Sequence, residues 1–335
     1  MHFSFKNYDT EKFYDEMFSS DGRIRPGCEA FKQRVEQLTQ TELMNRQHTA
    51  ERALMSMGIT FNVYSEGEGT ERIMPLDIIP RVVAGDDWNR LEKGLIQRIT
   101  ALNMFIDDIY NDQKILDDGV VPRDLIETSK CYLEACKGLK PPKGIWCHIT
   151  GTDLIRGDDG TFMVLEDNLR CPSGVSYMLE NRELSKQIFP EVLARTGVRP
   201  VSDYPARLFE MLKFIADRPD PNIVVLTPGI YNSAYFEHSY LAQQMGVELV
   251  DARDLVVSGG YVKMRTTRGF EIVDVIYRRL DDTFLDPQAF NPHSLIGIPG
   301  IFDVYKKGRV ALANAPGTGV ADDKVIYAYV PRIIK

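Results

Sequence analysis

Between Gly151 and Gly174 the chain reads Gly-Thr-Asp153-Leu-Ile-Arg156-Gly-Asp-Asp-Gly160-Thr-Phe-Met-Val-Leu-Glu166-Asp-Asn168-Leu-Arg170-Cys-Pro-Ser173-Gly. The turn Gly157-Asp-Asp-Gly160 is rich in residues that tolerate positive φ and lies between apolar runs, so the segment predicts a β-hairpin. The two-residue period of a strand sends Glu166 and Asn168 to one face. If a four-residue loop sets Arg156 opposite Thr161, Asp153 lies opposite Val164, and Glu166 becomes its diagonal neighbour at about 7–8 Å. Two carboxylates so placed repel by about 2 kcal/mol at an effective dielectric of about 20, a cost that a bound cation reverses. Oxygen-only donors suit Mg²⁺, which keeps several waters and takes its remaining bonds from substrate phosphates, so a nucleotide is the expected partner. The competing account of Glu-x-Asn alone is an ordinary hairpin with exposed acids.

An Asp on one strand, a short Asp/Gly turn, an apolar strand ending in Glu-x-Asn and a Pro-Ser-Gly loop together resemble the metal hairpin of ATP-grasp ligases. Here the hairpin comes early and a second α/β segment follows. That order resembles the circularly permuted ATP-grasp proteins, whose characterised relatives include glutathionylspermidine synthase. The similarity runs upstream through Ile79-Pro-Arg81 and Trp88–Tyr110, downstream through Val175–Arg182, and covers most of residues 70–335.

The resemblance implies an α/β fold with α+β elements: an ATP-grasp lobe, circularly permuted, and a Rossmann-like βαβ pre-ATP-grasp domain. It implies ATP and Mg²⁺ as cofactors, and a ligation in which a carboxylate attacks the γ-phosphate and an amine captures the acylphosphate. By the same resemblance, Asp153 and Glu166 hold one ion, and Glu166 and Asn168 the second. Many relatives carry an Arg two residues before the Asp, where this chain has Gly151. Arg170, on the Asn168 face if the strand continues, is the expected catalytic substitute; its alternative is a salt bridge with Asp167 or a neighbour. Ser173, in the Pro-Ser-Gly loop, is an expected substrate contact.

Relatives also supply nucleotide-gripping lysines and a Gly-rich loop from a lobe that follows the region matching Asn314–Lys324. The expected organisation is therefore a helical N-terminal region plus ATP-grasp lobe at 1–198, a substrate domain at 199–320, and at 321–335 the start of a lobe that continues past this chain. The 335-residue chain alone is expected to grip ATP poorly.

With 335 residues and 44% hydrophobic content, two packed units are expected. Forty basic against 48 acidic residues give a net charge of −8, which argues against a broad footprint for nucleic acid or anionic membrane. Five cysteines without paired Cys-x-x-Cys spacing fit a reducing cytosol, and Cys171 reads as a small buried thiol rather than a nucleophile. No apolar run approaches about 18 residues and the N-terminus lacks a hydrophobic signal core, so the expectation is a soluble cytoplasmic protein.

The first 57 residues read as mainly helical, ending near Gly58, before a β-rich run Ile59–Tyr64 that breaks at Gly67-Glu-Gly69. A helix from Asp86 carries Trp88, Leu91, Leu95, Ile99, Leu102, Ile106 and Ile109 as a core stripe. Its other faces hold Gln97, Arg98 and Asn103, either as solvated surface or as phosphate and substrate contacts. Another helix is expected from Pro122 to about Cys136, and more helix after Gly174. Ile223–Thr227, a helix over 234–245 and Val247–Val250 form a βαβ unit. A hairpin at Gly259-Gly260 and a strand through Ile272–Tyr277 are expected to extend that sheet.

Ligands of open α/β sheets sit beyond the carboxyl ends of strands. Asn232, Ser233 and Glu237 after the first strand, and Arg278 after a later one, are thus candidate substrate contacts. The loops could equally be plain turns, with Arg278 and Arg279 paired to Asp281 and Asp282. The function expected is an ATP-dependent carboxylate–amine ligase acting on an amino acid or peptide. Its alternative is a catalytically silent binding or scaffold protein. A dinucleotide-binding enzyme is disfavoured, because no Gly-x-Gly-x-x-Gly follows Ile223–Thr227.

Overall fold

A computed structural model describes residues 2–11, 13–65 and 68–335. Two compact units emerge, interleaved along the chain. The first comprises Met1–Lys93, Leu154–Met163 and Gly174–Ser202; the second comprises Gly94–Asp153, Val164–Ser173 and Asp203–Lys335. The chain-order division expected at residue 198 thus differs from this one, in which residues 94–153 and 164–173 cluster with the C-terminal part.

In the first unit, α1 (Glu29–Glu36) and α2 (Gln40–Ser56) precede the antiparallel pair β1 (Thr60–Ser65) and β2 (Glu68–Ile73). Helix α2 opens on a capping box: Thr39 Oγ1 accepts from the Glu42 N–H while the Glu42 carboxylate accepts from the Thr39 N–H. Helix was expected across the first 57 residues, yet the described residues before Glu29 form turns and isolated bridges. Short polar side chains account for this: Asp15 Oδ1 accepts the backbone N–H of Met17 and of Phe18, capturing donors that a helix would need. Of the break expected at Gly67-Glu-Gly69, Gly67 lies outside the described residues.

Helix α3 (Gly85–Tyr110) forms as one element with Asp86 and Asp87 in its first turn, where the helix dipole favours acids. Its stripe is buried from Leu102 through Phe105, Ile106 and Ile109, but Trp88 is 45% exposed. Periodicity defines the apolar face of a helix without stating how much of it is covered. The helix expected from Pro122 to Cys136 stops at Glu127. There Thr128 Oγ1 donates back to Asp124 O, and Ser129 Oγ accepts from Cys131 N while donating to Asp323, so side chains replace the helical ladder.

The hairpin is β3 (Gly151–Arg156) and β4 (Phe162–Asn168). Its tip belongs to the first unit. Gly157 N donates to Thr161 O, and Gly160 sits at φ +82°, where a Cβ would come within 2.6 Å of the Tyr14 ring. The Arg156 guanidinium stacks on Tyr14 and Phe162 at 4.1 and 4.4 Å from their centroids and pairs with Asp87.

The second unit holds a four-stranded parallel sheet in the order β11 (Ala311–Ala313), β10 (Val275–Arg278), β5 (Ile223–Leu226), β6 (Glu248–Val250). Strands β5 and β10 are buried throughout, as a parallel sheet covered on both faces requires. The hairpin at Gly259-Gly260 forms, but not as an extension of this sheet. Strands β7 (Leu255–Ser258), β8 (Tyr261–Thr266) and β9 (Gly269–Ile272) make a separate antiparallel sheet. The expected strand Ile272–Tyr277 is divided between the two sheets at Val273-Asp274, where the Asp274 carboxylate accepts from Asn222 N and pairs with Arg218.

One side chain ties the end of β11 to the hairpin base. Asn314, 2% exposed, accepts at Oδ1 from His148 N and Ile149 N and donates from Nδ2 to Ile149 O and Leu169 O. It stands in for a strand where no ladder continues. Asn314→Ala leaves two backbone donors unpaired, and since each such group costs about 1–3 kcal/mol, a loss of about 3 kcal/mol in unfolding free energy is expected from urea denaturation. A loss below about 1 kcal/mol would refute this role.

Candidate active site at the base of the hairpin

The base of the hairpin lies in the second unit and brings together Asp153, Glu166 and Asn168. The Asp153 carboxyl is raised above the usual aspartate range. Partial desolvation contributes most, then the hydrogen bond and charge of Glu166, while a hydrogen bond from Asn168 pulls the other way. A side-chain hydrogen bond thus links the Asp153 carboxyl to Glu166. Gly157, not Arg156, bonds Thr161 at the turn, and Thr152 Oγ1 bonds Asp167 at the base.

Asp167 turns away from this face. It is 1% exposed and accepts from Arg98 Nε at 2.8 Å and Nη2 at 2.6 Å. Arg98, a candidate phosphate or substrate contact, thus donates two N–H groups to one oxygen, Asp167 Oδ2. Asn103 is likewise engaged, accepting from Trp146 N and Cys147 N.

Arg170 lies between Asp281 and Asp322, 2.9 Å from each, and not against Asp167. Asp322 also accepts from Leu169 N, and the Tyr327 hydroxyl accepts from Asp167 N and donates to Asp322 O. Lys324, between them, places Nζ 3.4 Å from Glu166 Oε2 with its own side chain 85% exposed. Residues 322–327 thus fasten the end of β4. Sequence reasoning missed Asp322, Lys324 and Tyr327, because more than 150 positions separate Tyr327 from Asp167 and only the cluster Asp322-Asp323-Lys324 after a Gly-rich turn signalled anything.

The strand-end candidates form a second cluster in the same unit. Arg278 is 1% exposed, pairs with Asp282 at 2.6 Å and donates to Asn314 O, Leu280 O and Ala315 O. Glu237 is fully buried and pairs with Arg279 at 2.9 Å. Asn232 accepts from Ala234 N in a local turn, and Ser233 and Ser173 are exposed. The structure groups Asp153, Glu166 and Asn168, and it sets Arg98, Arg278 and Glu237 within internal ion pairs. The Cys171 thiol is pushed up by burial and donates to Leu280 O, the behaviour of a structural cysteine.

The family model for circularly permuted ATP-grasp type 2 matches residues 80–335. The chain belongs to this family. A glutathione synthetase-like effector of Globodera pallida, solved in its apo form, superposes with TM-score 0.52 at 12% identity over 88% of this chain and 68% of that one, a likeness of fold alone. An uncharacterised protein of Synechocystis is 56% identical over 98% of this chain and 69% of its own length. A protein of Frankia casuarinae that carries the provisional name glutamate–cysteine ligase is 38% identical over 96% of this chain and 37% of its own. Against the mycobacterial relatives at 47% identity, the chain spans 60% of their length.

For an ATP-grasp protein the donor set fits a hard divalent cation: two carboxylates and an amide, all oxygen, with neither thiolate nor imidazole among them. Among the described residues no three His, Cys, Asp or Glu side chains gather as a metal site, so a cation here would draw its other bonds from water and substrate oxygens. No helix among the described residues is long and apolar enough to cross a membrane.

Between the strand ends, His238 is 2% exposed with Nδ1 2.8 Å from Thr227 Oγ1, and burial followed by the Arg279 charge pushes its pKa down to about 3. A histidine depressed in the folded state stabilises above its ordinary value of about 6.5 and loses that contribution as pH falls toward the folded value. Unfolding free energy should therefore fall between pH 6 and pH 4, and in His238→Gln the slope should be shallower by about 1.4 kcal/mol per pH unit. Denaturant titrations across that range check it; equal slopes would refute it.

Proposed function

We propose that the protein is an ATP- and Mg²⁺-dependent carboxylate–amine ligase that joins an amino acid or peptide to an amine through an acylphosphate. The reading is carried by the contact of Asp153 with Glu166 and Asn168 in a member of the circularly permuted ATP-grasp family. The name of the Frankia relative supports the reaction class, and the silent-scaffold alternative is not favoured.

Asp153 and Glu166 would hold one Mg²⁺, and Glu166 and Asn168 another. When bound, the ions supply charge neutralisation for the transferring phosphoryl group. The chain's own contribution is positioning. Arg98 and Thr152 hold Asp167 on the opposite face, so that Glu166 and Asn168 stay aimed with Asp153. Arg170, 39% exposed on its side chain, keeps Nη2 free of the Asp281 and Asp322 pairings and is the proposed contact for the transferring phosphate. Ser173, Asn232 and Ser233 remain proposed substrate contacts. Arg98, Arg278 and Glu237 would serve through their buried ion pairs with Asp167, Asp282 and Arg279, which hold the segments around the site.

The test is a screen of amino acids and peptides, each with amines, for ADP release that requires both partners. An acceptor-dependent signal that falls at least about 100-fold in Glu166→Gln, with an unchanged circular dichroism spectrum, is the expected outcome. A variant as active as the parent would remove the site assignment.

A further inference from the structure

We propose that Lys324 is a built-in counter-cation of the Asp153–Glu166–Asn168 site: its ammonium rests on Glu166 when no metal is present, and a divalent cation must displace it. The inference rests on the metal-binding reading above and concerns what the ligand-free chain does at that site.

Two acids in contact need positive charge, a shared proton, or both. Lys324 Nζ supplies the charge at 3.4 Å from Glu166 Oε2. The placement is built rather than incidental, because the residues on either side are anchored to the same strand. Asp322 accepts from Leu169 N and Arg170 Nε; the Tyr327 hydroxyl accepts from Asp167 N and donates to Asp322 O. The backbone at position 324 is thus held beside the end of β4, while the lysine side chain lies in solvent, 85% exposed. An exposed pair of this kind is weak, so the ammonium yields readily to a cation that several oxygens can ligate at once. Lysine suits the role better than arginine: a compact charge on a flexible stem leaves without breaking a bidentate fork.

The test uses Mn²⁺ alone, without nucleotide, titrated into the chain and followed by electron paramagnetic resonance of the free ion, which reads binding and not turnover. Lys324→Gln should bind Mn²⁺ about two- to fivefold more tightly than the parent at low salt, with the difference shrinking as ionic strength rises. Lys324→Arg should match or bind slightly more weakly than the parent, and Glu166→Gln should lose the site. If Glu166→Gln loses binding but Lys324→Gln equals or falls below the parent, the lysine has no such role and the metal site stands. If Glu166→Gln binds Mn²⁺ like the parent, or the parent binds none, the metal assignment falls and the counter-cation with it. Since Lys324 is exposed, its variants should keep the parent's melting temperature, which separates a loss of fold from a loss of competition.

Discussion

Within the second unit, everything at the hairpin base depends on Asn314. Backbone polar groups buried without partners are costly, and where β11 ends no neighbouring strand supplies them. The Asn314 amide supplies both a donor and an acceptor, linking the chain before β3 to the chain after β4. Arg278 donates to the Asn314 carbonyl from below and is itself neutralised by Asp282, so the clamp has a charged support. The hairpin can hold an acid pair in contact because its ends are fastened by groups outside it.

Charge at this end of the unit is sorted by burial. Arg98 with Asp167, Arg278 with Asp282 and Arg279 with Glu237 are interior pairs in which each partner would be costly if left alone. They specify geometry, and removing one partner would strand the other. Asp153, Asn168 and Lys324 are exposed, and Arg170 and Glu166 half-buried. The proposed chemistry draws on this second set, whose members can exchange one partner for another.

The local signals were legible in proportion to their sequence range. The turn at Gly157–Gly160, the period of β4 and the acids at the start of α3 are properties of neighbouring residues, and the hairpin, the long helix and the βαβ run all form. Failures came where a side chain overrode the pattern. Asp15 captured backbone donors where a helix was expected, Ser129 did so just past the end of one, and Asp274 divided a run of β-formers between two sheets.

Residue types and spacing alone established that Glu166 and Asn168 share a face and that Asp153 stands on the partner strand, since alternation is a geometric property of any strand. Membership of the circularly permuted ATP-grasp family was written in the same residues. Tertiary structure alone decided which charges were buried. Arg98 and Arg278 look as available in sequence as Arg170 and Lys324, yet the first two meet carboxylates in the interior and the last meets Glu166 in solvent. Sequence states a charge; only the fold sets the distance and dielectric through which that charge acts.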